Sequence, residues 1–290
     1  RFDGFQKYGA YKVAHPTVPD QDIIGLNNIY WSRSYSDTCN PNGGDPGSDV
    51  MTWLDRQLSE TRQAGRKAQI LMHIPPGGDA RDTAHHIHET APDSRQKSCD
   101  SNIALFWHDH FLKRFQTMMQ TYAGTVDYTF SGHTHMDGFT VISDASGAPM
   151  IANQITPSVS PVFGNNPAFA VFLYDRTSGD ILDSATFYAS NLDEAAEKGA
   201  GTKPNWELEY VYRDTYGIKD MTPASRAELA TRLETDAALR QRFTDLYAGS
   251  LKARYENQNA INQYDDWKPF GCSLTAVSWR AFDACVCDAK

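Results

Sequence analysis

The chain alternates between two kinds of apolar spacing, and the switch between them predicts its elements. The stretches "YKVAHP" (11–16) and "DIIGLNNIYW" (22–31) are short apolar runs that read as two strands. "SDVMTWLDRQLSETRQAGRK" (48–67) has helical spacing, with Met51, Leu54 and Leu58 on one face and Gly65 ending it. "AQILMHI" (68–74) is a short buried strand, followed by a polar loop from Pro75 to about Cys99. "NIALFWHDHFLKRFQTMMQTY" (102–122) predicts a second amphipathic helix, with Leu105, Leu112, Phe115 and Met119 on its apolar side. "VDYTFSG" (126–132) is another strand. This strand–helix–strand–helix–strand order implies an α/β sheet with flanking helices.

Beyond residue 138 the pattern changes. "FTVISDASGAPMIANQI" (139–155) predicts a hairpin turning near Ser146-Gly147. "AFAVFLYDRTSGDILDSATFYA" (168–189) predicts a second, turning near Ser178-Gly179. "WELEYVYRDTYG" (206–217) adds an extended segment, and from Pro223 the spacing is helical. The organisation expected is therefore a first part, 1–203, and a helical, cysteine-bearing part, 204–290.

Composition narrows the class. With 290 residues of which 40% are hydrophobic, the chain can bury a core of its own. A net charge of −9 argues against binding a nucleic-acid polymer, which needs a basic face. It leaves small phosphate esters open, because a bound cation reverses the local field. No apolar run reaches the length of a membrane helix. The first residues, "RFDGFQKYGAYKV", lack the features of a signal peptide and read as the middle of a domain. Cys39, Cys99, Cys272, Cys285 and Cys287 all lie in polar or loop-like sequence, which favours disulfides over inert buried thiols. Their odd number leaves one thiol free or paired outside the chain, and disulfides imply an exported protein: secreted, periplasmic or lysosomal.

The chemistry concentrates in histidines. His73 ends one predicted strand, and His133 and His135 follow the next, behind Gly132. On an extended chain, side chains at i and i+2 point the same way, so both imidazoles would enter one pocket. Gly132 would let the backbone turn there. One such histidine is best read as a polar turn residue. Three at adjacent strand ends, where open sheets bind ligands, are best read as metal ligands. His108 and His110 make a poor pair, because residues two apart on a helix face different ways. His85, His86 and His88 read as a solvated loop, with one of them lining a cleft as the alternative.

In order, "LMHIPPG" (71–77), "FSGHTHMDGF" (130–139), "NNPAFAVFLYD" (165–175) and "WELEYVYRDTYGIKDMTPAS" (206–225) resemble the acid sphingomyelinase-like phosphodiesterases, a branch of the calcineurin-like metallophosphoesterases. The resemblance covers nearly the whole chain and the C-terminal two-thirds of the family pattern. It implies a two-sheet β-sandwich flanked by helices, incomplete at its N-terminal side, with a C-terminal helical subdomain. It implies two zinc ions (Zn2+, or another divalent metal), with His73 and His133 on one and His135 on the other. The family's remaining ligands, an Asp-x-His, a bridging Asp after Gly and an Asn-His whose histidine is the acid, have no counterpart here. "GGDPGSDVMTWL" (43–54) holds a Gly-Asp but matches a helix start in the family. The catalytic acid is thus expected in a preceding segment, which becomes a required partner.

The implied activity is hydrolysis of a phosphodiester, a phospholipid head group or a nucleotide, by a metal-activated hydroxide. The loop "ITPSVSPVFGNNPAF" (155–169) resembles the family's cleft wall, with Asn166 and Phe169 as candidate substrate contacts. The competing reading is a catalytically dead module that binds a ligand or partner.

Overall fold

The computed structural model describes residues 3–37, 43–89, 102–199, 201–250 and 266–287. A short helix α1 (Asp3–Tyr8) leads into β1 (Tyr11–Ala14) and β2 (Gln21–Leu26). Helix α2 (Pro46–Gln63), β3 (Lys67–Met72), α3 (Ala80–Glu89), α4 (Asp109–Thr121) and β4 (Val126–Ser131) follow. Next come the hairpin β5 (Gly138–Ser143) and β6 (Pro149–Ile155), then β7 (Ala168–Tyr174) and β8 (Ile181–Ala189). The rest is α5 (Leu192–Lys198), β9 (Trp206–Val211), α6 (Tyr212–Tyr216), α7 (Pro223–Thr235), α8 (Ala237–Tyr247), α9 (Lys268–Ser273) and α10 (Trp279–Cys287).

Six strands form one sheet in the order β1-β2-β3-β4-β6-β5. The inner four are parallel, and β1 and β5 close the edges antiparallel. Strands β7, β8 and β9 form a second, antiparallel sheet. Helices α2 and α4 cover one face of the larger sheet, burying Leu54, Leu58, Leu112 and Phe115 against Ile24 and Ile70. On the other face, α7 and α8 bury Leu229, Leu233 and Phe243 with Phe139 and Val141 of β5 and Tyr210 of β9. The smaller sheet meets the larger on that same face, where Phe172 packs edge-on against Phe130 with ring centroids 5.0 Å apart. Residue 204 falls just before β9, and β9 pairs with β8, so the parts before and after it share a sheet.

Several local expectations are corrected. Residues 28–31 form a 3-10 turn rather than the end of a strand, with Asn27 capping it. Tyr212–Tyr216 is a helical turn rather than extended chain. The segment after Pro75, expected as loop, contains α3, whose start is capped where Asp79 accepts the Asp82 N–H at 3.0 Å. The second amphipathic helix begins at Asp109, and Leu105 lies outside it. The preceding residues instead cross the "PPGG" turn as extended chain: the Phe106 N–H donates to the Gly77 carbonyl and the Asp79 N–H to that of Ala104. A backbone satisfied this way has no reason to coil. His108 is consequently the residue before α4, and its ring lies 5.8 Å from that of His110. Asp45 caps α2 by accepting the Ser48 N–H at 2.9 Å, so the Gly-Asp of that segment is a helix start.

The C-terminal end is tied down covalently. Cys272 and Cys285 join α9 to α10, and Cys287 is disulfide-bonded as well. Cys39 and Cys99 lie outside the described residues. The Cys272–Cys285 bridge spans 13 residues, so Cys272→Ser is expected to lower stability by about 3 kcal/mol in a urea titration. No change under non-reducing conditions would show that the bridge contributes nothing. Among the described residues no helix is long and apolar enough to cross a membrane.

Candidate functional site

His73 leaves β3 and Gly132-His133 leaves β4, and these two strands are parallel neighbours. Their ends are stitched together where the Gly132 N–H donates to the His73 carbonyl at 2.9 Å. Behind His73, the fully buried Asn28 accepts the backbone N–H groups of His73 and Ile74 and donates to the Ile74 carbonyl. The strand end is thereby held by a satisfied polar side chain.

The "GHTH" loop does not follow the extended path that its spacing suggests. His133 has φ 72° and His135 has φ 66°, both left-handed. Gly132 is not among the positive-φ residues. The sharp turn is thus made by the histidines, not by the glycine before them. Two non-glycine residues held this way cost about 1–3 kcal/mol each and persist only where the surroundings impose them. Such strain concentrates at functional sites. Met136 donates its N–H to the Thr134 hydroxyl, and Asp137 donates its N–H to the Tyr247 carbonyl of α8, so both ends of the loop are anchored.

The result brings all three predicted histidines to one cavity of about 460 Å³. His73 Nε2 and His133 Nδ1 are 3.3 Å apart. His135 stands beside them, its Nδ1 buried without a hydrogen-bond partner. His73 and His133 open onto solvent, yet the atoms packed behind them hold both rings below the usual imidazole pKa. Desolvation is the main cause, with the neighbouring imidazoles adding to it. Neutral rings with free lone pairs are the form that binds a divalent cation.

His73 and His133 thus sit as a close pair beside His135 with its orphaned nitrogen, a set of imidazole donors whose chemistry fits a divalent cation. Among the described residues no three His, Cys, Asp or Glu side chains converge tightly enough to hold a metal by themselves.

The remaining walls come from segments the sequence did not mark, except for the loop 155–169, whose resemblance to a cleft wall had singled it out. Asp79, Arg81 and Asp82 enter from the start of α3, Phe106 from the crossing chain, Phe163 from the loop after β6, and Tyr247 from α8. Burial is the main reason that the Asp79 carboxyl is pushed up to about 6, and Asp82 adds to it. The α3 residues were hidden because that stretch read as loop, although "GDARD" carries the Asp-x-x pattern of a helix cap. Asn166 and Phe169 do not line this cavity. The Asn166 amide donates to the Gly249 carbonyl at 2.7 Å, and Phe169 stacks on Phe187 with centroids 5.5 Å apart. His85, His86 and His88 lie on α3 away from the cavity, and His88 Nε2 contacts Asp266 at 3.0 Å.

Two glycines near the site should respond oppositely to alanine. A Cβ on Gly78 would lie 2.5 Å from the ring of Phe282 in α10, whereas one on Gly132 meets nothing within 4 Å. Gly78→Ala is expected to lose about 1–3 kcal/mol by forced displacement of the ring. Gly132→Ala is expected to stay within about 1 kcal/mol of the parent. Thermal unfolding of both variants is the check, and equal losses would contradict the packing described.

Residues 147–266 match the family model of the acid sphingomyelin phosphodiesterase C-terminal region. The chain is 29% identical over 97% of its length to acid sphingomyelinase-like phosphodiesterase 3b of Homo sapiens, covering 57% of that protein. It is 31% identical over 78% of its length to a cyclic GMP-AMP phosphodiesterase of Homo sapiens, covering 45%. Sphingomyelin phosphodiesterase 2 of Caenorhabditis elegans is 27% identical over 97% of the chain, with 41% covered. The chain spans about half the length of the curated relatives it matches. The mixed sheet, the second antiparallel sheet and the flanking helices are consistent with a metallophosphoesterase-like fold. Over most of its length the chain is thus similar to acid sphingomyelinase-like phosphodiesterases, and residues 147–266 match the C-terminal region of the acid sphingomyelin phosphodiesterases.

Proposed function

We propose that this chain supplies one side of a two-metal phosphodiesterase site, with His73 and His133 on one ion and His135 on the other. The observation that carries the reading is that the strained "GHTH" loop brings His133 and His135 to the cavity that His73 lines from the neighbouring strand end. The ions, zinc or another divalent metal, would supply Lewis-acid charge for the phosphoryl oxygens and a nucleophilic water. The chain's own part is to hold neutral imidazoles in place and to wall the cavity with Phe106 and Phe163. The substrate is a phosphodiester, whether a phospholipid head group or a nucleotide.

The missing donors and the proton-donating histidine are assigned to a preceding segment of the same protein. Two things support this assignment: the half-length coverage of the relatives, and the apolar outer face of the smaller sheet. There Val171 (51%), Leu173 (61%) and Leu208 (53%) are exposed, a load that soluble sheets normally cover. Export to an oxidising compartment is supported by the Cys272–Cys285 bridge.

The test uses the protein with its preceding segment. Two equivalents of metal and turnover of bis(p-nitrophenyl) phosphate are expected, and absence of both would overturn the proposal. One observation favours a non-catalytic binding module instead: the described residues do not close around an ion alone. If the native protein begins at Arg1 and binds at most one metal weakly, the module is the better reading.

A further inference from the structure

Arg81 is the only lysine or arginine lining the histidine cavity, among the described residues. Its guanidinium lies over the Phe163 ring, 5.6 Å from the centroid. Phe163 meets the His135 ring edge-on, with centroids 4.6 Å apart. Guanidinium, phenyl and imidazole therefore run in series along one wall. Arg81 is exposed and forms no ion pair with another described residue. Of the two carboxylates nearby, Asp79 is enclosed, accepts the Asp82 N–H and feels the Arg81 charge without pairing with it, while Asp82 lies in the field of His133.

This placement decides what Arg81 can reach. Arg81 and His135 both meet the Phe163 ring, so the guanidinium borders the space beside a phosphoryl group held at the histidines. It is well placed for whatever the substrate carries beyond that group. A guanidinium is a planar fork that matches a phosphate or carboxylate in two-point fashion. The Phe163 face would otherwise be open to a quaternary ammonium, but Arg81 already covers it with a like charge.

Resting on the phosphodiesterase reading above, we propose that Arg81 is a specificity-determining residue. It favours phosphodiesters that bear a second anionic group beside the scissile phosphate, and disfavours those that bear a quaternary ammonium.

The test is calorimetric titration of the full chain with ADP and with phosphocholine. Both are product-like phosphate esters, and they differ in a second anionic group against a cationic one. Wild type is expected to bind ADP more tightly. Arg81→Gln should weaken ADP about tenfold, the loss of one charge-assisted contact, and leave phosphocholine unchanged or tighter. Arg81→Lys should fall between, keeping charge but not the fork. Because Arg81 is exposed, these variants are expected to fold, and unfolding curves matching wild type confirm it. Equal changes for both ligands, no change for either, or no ADP binding by wild type would overturn the proposal. An ADP-selective loss in a protein that hydrolyses no phosphodiester would sink the catalytic reading and leave only the ligand preference of Arg81 standing.

Discussion

His133→Gly should be more stable than the parent yet nearly inactive. Glycine adopts φ near +70° without steric penalty, so relief of the strain at His133 is expected to add about 1 kcal/mol to the metal-free protein. The same change removes one of the paired imidazoles. Loss of a partner that merely orients a metal ligand already lowers affinity or activity 10–100-fold, so loss of the ligand itself should lower turnover by more than about 100-fold. The measurements are chelator-treated urea unfolding, metal content, and turnover of the protein that carries its preceding segment. If stability falls together with activity, the left-handed histidine is a packing element rather than a site held under strain.

The second large effect is expected 72 residues beyond Gln154, at Arg226 of α7. Its side chain is fully buried. It donates to the Tyr128 hydroxyl and to Gln154 Oε1, both at 2.7 Å, and its guanidinium carbon lies 3.7 Å from the centre of the Tyr212 ring. Gln154 in turn donates to Asp137 at 3.1 Å, and Asp137 also accepts the hydroxyls of Tyr210 and Thr186. The carboxylate that ends the "GHTHMD" loop is thus linked to the C-terminal helices through one glutamine.

Removing one member of such a network leaves the others buried without partners. Arg226→Leu is expected to lose about 3–5 kcal/mol, read as a shift in the urea midpoint. The double variant with Asp137→Asn should recover part of that loss, because it also removes the stranded charge. A loss under about 1 kcal/mol would mean that Tyr128, Gln154 and Asp137 are satisfied without the guanidinium.

A pH dependence follows from the same residue. Burial is the main cause that pushes the Asp137 carboxyl from its ordinary 3.8 up to about 6, and the hydroxyls of Tyr210 and Thr186 and the charge of Arg226 pull the other way. The folded state therefore binds more protons than the unfolded chain between those values, and stability from this group declines as pH rises across that window. Asp137→Asn should flatten that part of the stability profile relative to wild type. An unchanged profile would show that Asp137 ionises as freely in the folded protein as in the unfolded chain.

Much of this architecture is legible locally. Met51, Leu54 and Leu58 recur at helical spacing, and all three are buried on α2. Both hairpins turn where Ser146-Gly147 and Ser178-Gly179 stand, because a glycine at φ near +80° closes each turn. Where the reading failed, contacts distant in sequence had overridden local preference. Leu105 sits in a run of good helical spacing, but its neighbours hydrogen-bond to the "PPGG" turn and stay extended. Residues 80–89 are polar enough to read as loop, yet the Asp79 cap and the packing of Ala80 and Ala84 against Phe270 of α9 make a helix. Asn166 and Phe169 lie in the loop that resembles a cleft wall, and nothing in their local sequence reveals that the turn after α8 and the smaller sheet engage them.

The sequence by itself determined that three histidines end neighbouring strands of an α/β sheet with flanking helices. This follows from short-range rules, the apolar period of each element and the order in which elements alternate. The second sheet of the fold was implied by the family resemblance. Only the tertiary structure decided how those histidines are presented. His73 is held by Asn28, and the left-handed backbone of His133 and His135 is anchored by Tyr247 and by the buried chain from Asp137 to Arg226. Arg81 and Phe163 meet beside them only because α3 and the loop after β6 close over the same strand ends. No local period encodes such meetings, because they depend on which distant surfaces the packed core leaves side by side.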